Sequence, residues 1–248
     1  MDLGLSGRRA AVAAATSGLG YATAAALVAE GARVTICGSD ADRARAAADR
    51  LGPGAGWIVT DLTDPDGAEG FVRAAEAAMG GLDILVTNAP GPPPGTFASA
   101  RAEDYPAALD LNLMSVVRMC LAAVPAMQAQ RWGRVVAITS IAVRQPIPTL
   151  ILSNTARAGA TGFLKTLARE VAGDGVTVNS VQPGLHDTDR VGAVYGERLP
   201  DAVADIPAGE LGRAADFGAA VAFLCSEQAR YITGVGLPVD GGVYQALL

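Results

Sequence analysis

Along the first half of the chain, short β-branched apolar runs alternate with longer stretches of helical spacing. That alternation predicts a parallel sheet covered by helices on both faces. Residues 9–14 read as a first strand, 19–30 as an alanine-rich helix stopped at Gly31, and 33–37 as a second strand followed by a helix from about Asp40. Residues 57–60 read as a third strand, Pro65–Met79 as a helix opened by its proline, and Ile84–Thr87 as a fourth strand. The Gly91-Pro92-Pro93-Pro94-Gly95 run must be a loop, because proline cannot join a central ladder. One long helix is expected over 102–127, then a strand over 134–138, a helix over 152–172 and a strand over 176–181. Residues 186–208, broken by Pro200 and Pro207, read as an irregular, lid-like segment before a helix from Ala214 and a last strand at 237–239. No break in this rhythm marks a second domain.

Composition narrows the class. Of 248 residues, 50% are hydrophobic and 18% charged, which excludes a disordered chain and allows a sizeable core. No apolar run free of breakers reaches the ~20 residues that span a bilayer, so no membrane partner is expected. The first ten residues lack the apolar core of a secretory signal. Cys37, Cys120 and Cys225 are too few and too scattered for a disulfide framework or a metal site, and a reducing cytoplasm suits them. A net charge of −6 argues against a sequence-independent grip on nucleic acid, which needs clustered cations.

The chemistry begins at Ala13-Ala14-Ala15-Thr16-Ser17-Gly18-Leu19-Gly20, between the first strand and the first helix. Glycines there let backbone and phosphate approach, and the helix start offers free N–H groups to a pyrophosphate. Two glycines could equally tighten a strand-to-helix turn; their place near the N-terminus, after a strand, favours dinucleotide binding.

Taken together, several ordered motifs resemble the short-chain dehydrogenase/reductase family over essentially the whole chain. The 13–20 segment stands where that family has T-G-x-x-x-G-x-G, keeping Gly18 and Gly20. Asp61-Leu62 stands at the adenine-contacting position, and Thr87-Asn88-Ala89-Pro90 where the family has N-N-A-G. Val178-Asn179-Ser180-Val181-Gln182-Pro183-Gly184 and Val239-Asp240-Gly241-Gly242 match later signatures. The resemblance is to the 3-oxoacyl-ACP-reductase-like branch. It implies a single Rossmann-type domain, a doubly wound parallel sheet in three α/β/α layers. It also implies a small-molecule carbonyl or alcohol substrate, and a homotetramer joined through the long helices, where Val116, Met119, Cys120 and Ala123 offer apolar faces. Cofactor contacts would come from Ser17, Gly18, Leu19, Gly20, Asp61, Leu62, Asn88, Ala89, Arg157, Pro183, Gly184 and Thr188. NADP is expected ahead of NAD. Gly38 ends the second strand without the carboxylate that NAD preference wants, and Ser39 and Arg43 lie where a 2′-phosphate would fall.

By the same resemblance, the family's catalytic Asn and Ser are Asn112 and Ser140. Counting on from Ser140 puts Ser153 and Arg157 where the family has Tyr and Lys, so Y-x-x-x-K becomes S-x-x-x-R. An aliphatic hydroxyl is a far weaker acid than a phenol, and Arg does not deprotonate as Lys can. Three readings follow: an oxidoreductase with a substitute proton donor, with His186, Asp187 and Tyr195 as candidates; a non-redox lyase or isomerase; and a catalytically silent NADP-binding protein.

Overall fold

Short apolar strands that run parallel can pair only if helices carry the chain back between them, and the computed structural model, which describes residues 1–247, has this architecture. Strands β1 (Arg9–Val12), β2 (Arg33–Gly38), β3 (Ala55–Val59), β4 (Ile84–Thr87), β5 (Gly133–Ile138), β6 (Val176–Pro183) and β7 (Gly236–Val239) pair in the order β3-β2-β1-β4-β5-β6-β7. Every neighbouring pair is parallel. The order reverses between β1 and β4, and a crevice opens there beyond the carboxyl ends of the strands.

The helices are α1 (Gly18–Ala29), α2 (Ala41–Leu51), α3 (Pro65–Met79), α4 (Tyr105–Leu109), α5 (Ser115–Ala129), α6 (Ile151–Val171), α7 (Asp189–Tyr195), α8 (Leu199–Ala204) and α9 (Ala214–Leu224). Because side chains alternate along a strand, each central strand feeds two cores. Ala11 and Leu85 pack with Phe71, Met119 and Leu164 under α3, α5 and α6. Ala10, Val12, Ile84 and Val86 pack with Leu27, Val221 and Phe217 under α1 and α9. The fold is thus one three-layer α/β/α domain of Rossmann type. Val116, Met119, Cys120 and Ala123 all lie in the first of these cores, so packing within the chain accounts for their apolarity.

Two segments depart from the sequence expectation. Residues 102–129 form no uniform helix: a 3-10 turn leads into α4, and a π turn over Asp110–Met114 joins α4 to α5. Among the described residues this stretch alone has the length and mean hydropathy, 1.6, of a membrane-crossing helix, where no such run is expected from the sequence. Its α5 part instead lies in the layer packed on α3, with Arg118 paired to Asp110 at 3.1 Å. The 186–208 segment, expected to be irregular, is mostly helical. Pro200 sits in the first turn of α8, where a missing N–H costs nothing, and so opens a helix instead of breaking one.

Charged residues gather at the edge where the parallel strands begin. Arg9 clasps Asp83 through Nε and Nη2 at 2.8 Å each, tying the start of β1 to the residue before β4. Trp132, just before β5, lies between the guanidinium carbons of Arg8 and Arg134, 3.7 and 4.4 Å from its ring centre. Arg8 Nη2 and Trp132 Nε1 both donate to Glu227, at 2.9 and 2.6 Å. Arg134, only 2% exposed, also donates to the carbonyls of Ser226 and Gly133. Such a buried cation persists only because its donors are satisfied.

Candidate active site

The crevice is built first from the loop after β1. Ala14 is held in the left-handed region at φ 46 by two contacts. Its N–H donates to Cys37 Sγ at 3.4 Å, and its carbonyl accepts from Asn88 Nδ2 at 3.1 Å, so β1, β2 and β4 meet there. An alanine in that conformation is strained, and Ala14→Gly is expected to stabilise the fold by about 0.5–1 kcal/mol net, seen as a Tm rise of roughly 1–4 °C. An unchanged or lower Tm in calorimetry would contradict that strain.

Ser17 enters α1 in extended backbone without a side-chain cap, and no acidic residue occupies the first turn. Uncapped N–H groups at a helix start suit an anion. Gly18, at φ +57, begins α1. A side chain there would meet Thr188 alone, at 3.7 Å, so the loop and the start of α7 face each other across a gap one side chain wide. Leu19 packs partly onto the α1 core. Gly20 has no room: a Cβ would lie 2.6 Å from the Ala14 carbonyl and 2.8 Å from Asn88 Nδ2. These features fit the pyrophosphate of a dinucleotide. At the far wall, Gly184 lies against Asp240 and donates to the Val239 carbonyl at 3.0 Å, which seats the Pro183-Gly184 turn on β7.

Asp61, expected to face the adenosine, is exposed and accepts from both the N–H and the hydroxyl of Thr63, which hold its carboxyl below the usual range. Leu62 is buried beside it. Ser39 is exposed, and Arg43 lies 3.7 Å from Asp40, whose carboxylate also caps α2. The cation that reaches the phosphate loop is another one, Arg50. It donates to the Thr16 carbonyl at 3.3 Å and covers the Tyr21 ring at 4.5 Å. Sequence reasoning missed it, because an arginine nine residues into an exposed helix carries no signature of where its tip ends.

The catalytic candidates are linked by a chain of contacts at the ends of β4 and β5. Ser140 follows β5, and its oxygen accepts from the Ala142 N–H at 3.1 Å. Arg157, 9% exposed on α6, donates through Nη1 to the carbonyls of Ile138 and Thr139 at 3.1 and 3.2 Å. Its Nη2 donates to the Ala89 carbonyl at 3.1 Å. The guanidinium thus bridges β4 and β5. Burial, and then the nearby charge of Arg190, push its pKa down to about 10. Asn112, in the π turn and 2% exposed, donates to the Pro90 carbonyl at 3.0 Å, while its own Oδ1 is buried without a partner among the described residues. Ser153, one turn before Arg157 on α6, is 6% exposed, and its hydroxyl makes no hydrogen bond to the described residues. π turns are frequent where a helix must aim a functional side chain.

The substitute proton donors fare differently. His186 is 3% exposed, stacked edge-on against Phe217 at 5.1 Å, with Nδ1 3.2 Å from the Gly184 carbonyl. Burial lowers its pKa, and the ring packs behind the turn. Asp187 is exposed, its N–H donating to the Gly212 carbonyl.

A family profile described as enoyl-(acyl carrier protein) reductase matches residues 13–244. The chain is 37% identical over 238 residues to the 3-oxoacyl-(acyl-carrier-protein) reductase FabG of Escherichia coli (strain K12), covering 96% of this chain and 98% of that protein. It belongs to the short-chain dehydrogenase/reductase family. As a short-chain dehydrogenase/reductase it is an oxidoreductase. Its fold also overlays the L-sorbose reductase of Gluconobacter frateurii, solved with NADPH and L-sorbose, at a TM-score of 0.95 and 30% identity over 100% of both chains. YwfH, an NADPH-dependent reductase of bacilysin biosynthesis, gives a TM-score of 0.93 at 25% identity, covering 98% of this short-chain dehydrogenase/reductase and 100% of YwfH.

Proposed function

We propose that this chain interconverts a carbonyl and an alcohol on a small or acyl-type substrate, using NADP and a serine-based site in which Ser153 and Arg157 replace the family's Tyr and Lys. The observation that carries this reading is the contact chain from Ala14 through Asn88, Ala89, Arg157 and Thr139 to Ser140, which ties the nucleotide loop to the catalytic serine. NADP, when bound, supplies or accepts the hydride.

The residues do the rest. Because the Ser140 oxygen already accepts from Ala142, its proton is directed elsewhere and can be donated to the substrate oxygen. The unpartnered Ser153 hydroxyl supplies a second donor. Neither serine is acidic enough to lose its proton near neutral pH, and Arg157 stays charged there, so the proton comes from water. The orphaned Asn112 Oδ1 is the acceptor that would hold this water. Arg157 acts as the strut between β4 and β5, which weighs against the reading in which it stabilises a lyase anion.

NADP is favoured over NAD by two features. A side chain on Gly38 would lie 2.5 Å from Thr16 Cγ2, so a carboxylate gripping two ribose hydroxyls there would require Thr16 to turn aside. Arg50 brings a cation to Thr16. The L-sorbose reductase with the same fold was solved with NADPH. Cys37, Cys120 and Cys225 are free and buried, their thiols pushed up to about 12 by burial, which suits a cytoplasmic setting.

The test follows reduced-nicotinamide absorbance with NADPH or NADH against 3-oxoacyl thioesters, ketoses and small ketones. Turnover is expected with NADPH ahead of NADH, and Ser153→Tyr should raise kcat by about 10²-fold by restoring a phenolic acid. Tight NADPH binding with no turnover by either protein would identify a silent binder and end the enzymatic reading.

A further inference from the structure

Arg190 lies in the first turn of α7, two residues past Thr188, and its guanidinium leans across the crevice onto the loop after β4. A Cβ on Gly91 would lie 2.5 Å from its Nη2 and 3.2 Å from its Cζ. Gly91 follows Pro90, whose carbonyl is held by Asn112, and Ala89, whose carbonyl is held by Arg157. Arg190 therefore sits at the end of the crevice that Ser140, Ser153 and Asn112 serve, beyond Gly18 and the phosphate loop. Its side chain makes no hydrogen bond or ion pair with the described residues. Arg157, on the far side of the same loop, registers its charge. Two cations facing one crevice make it a favourable place for an anion.

From this geometry we infer that the carbonyl substrate carries an anionic group, a carboxylate in a 2- or 3-oxo acid, held by Arg190 at the Gly91 loop. Arg157, engaged with three carbonyls, contributes potential and not contact. The inference rests on the oxidoreductase reading above and names the substrate class for that same site.

The test uses one matched pair of substrates, acetoacetate and methyl acetoacetate, which differ by a single negative charge. Wild-type protein is expected to favour the acid in kcat/KM by at least about tenfold, the size of a charge-assisted hydrogen bond. Arg190→Gln should abolish that preference while leaving kcat/KM for the ester and the NADPH Kd within about threefold, and Arg190→Lys should restore part of it. If Arg190→Gln weakens NADPH binding and leaves the preference intact, the arginine serves the cofactor and the inference is overturned. If neither compound turns over, calorimetry of the NADP complex decides. Acetoacetate bound by wild type, and lost in Arg190→Gln, supports the anion site even where the redox reading fails. Equal or absent binding of acid and ester by wild type sinks it.

Discussion

An Arg157→Leu variant is expected to unfold roughly 6–12 °C below wild type, a loss of about 3 kcal/mol. The guanidinium donates to the carbonyls of Ile138, Thr139 and Ala89, all in a buried setting, and leucine supplies none of those donors. Each carbonyl left buried and unpaired costs about 1–3 kcal/mol, and burying leucine in place of a desolvated cation returns part of it. Lysine has three donors but no planar fork to span two strand ends, so Arg157→Lys should fall between the two. Differential scanning calorimetry without added nucleotide reads this directly. A variant as stable as wild type would mean that the guanidinium does not bridge β4 and β5, and that it is free for a ligand.

The second large effect lies at the phosphate loop. Gly20→Val is expected to weaken NADPH binding by at least about 100-fold, or ~3 kcal/mol. The added Cβ would fall 2.6 Å from the Ala14 carbonyl and 2.8 Å from Asn88 Nδ2, so the whole loop must move. Gly18→Ala is the informative contrast. Its φ of +57 costs about 1–2 kcal/mol, yet the nearest neighbour, Thr188 Cγ2, is 3.7 Å away, so a loss nearer tenfold is expected. Fluorescence titration with NADPH ranks the three proteins. Equal affinities would place the pyrophosphate elsewhere.

Much of this architecture could be read from the chain itself, for reasons visible in particular elements. Pro65–Met79 and Ile84–Thr87 have the boundaries that the pattern predicts, because a proline start and a four-residue apolar run leave no alternative. Strands β2 and β3 were placed within two residues. The π turn at Asn112 was invisible, since one extra residue in a helical turn hardly disturbs apolar spacing. The 186–208 segment misled because Pro200 reads as a breaker unless its helical partner residues are known. His186, attractive as the sole histidine, is a packing group, and nothing in its neighbours along the chain reports the approach of Phe217. Arg50 and Arg190 escaped for the same reason. What they touch is decided by tertiary placement of a long flexible side chain, about which local sequence is silent.

The Arg8–Trp132–Arg134–Glu227 assembly and the Arg9–Asp83 clasp stand at the amino-terminal rim of the sheet, while the crevice occupies the opposite rim. Rigidity and reactivity are therefore anchored at separate poles of one scaffold. Residues around the mouth can be exchanged during evolution while the far pole keeps the strands in register, and a protein organised this way can wander to new substrates without first having to learn to fold again.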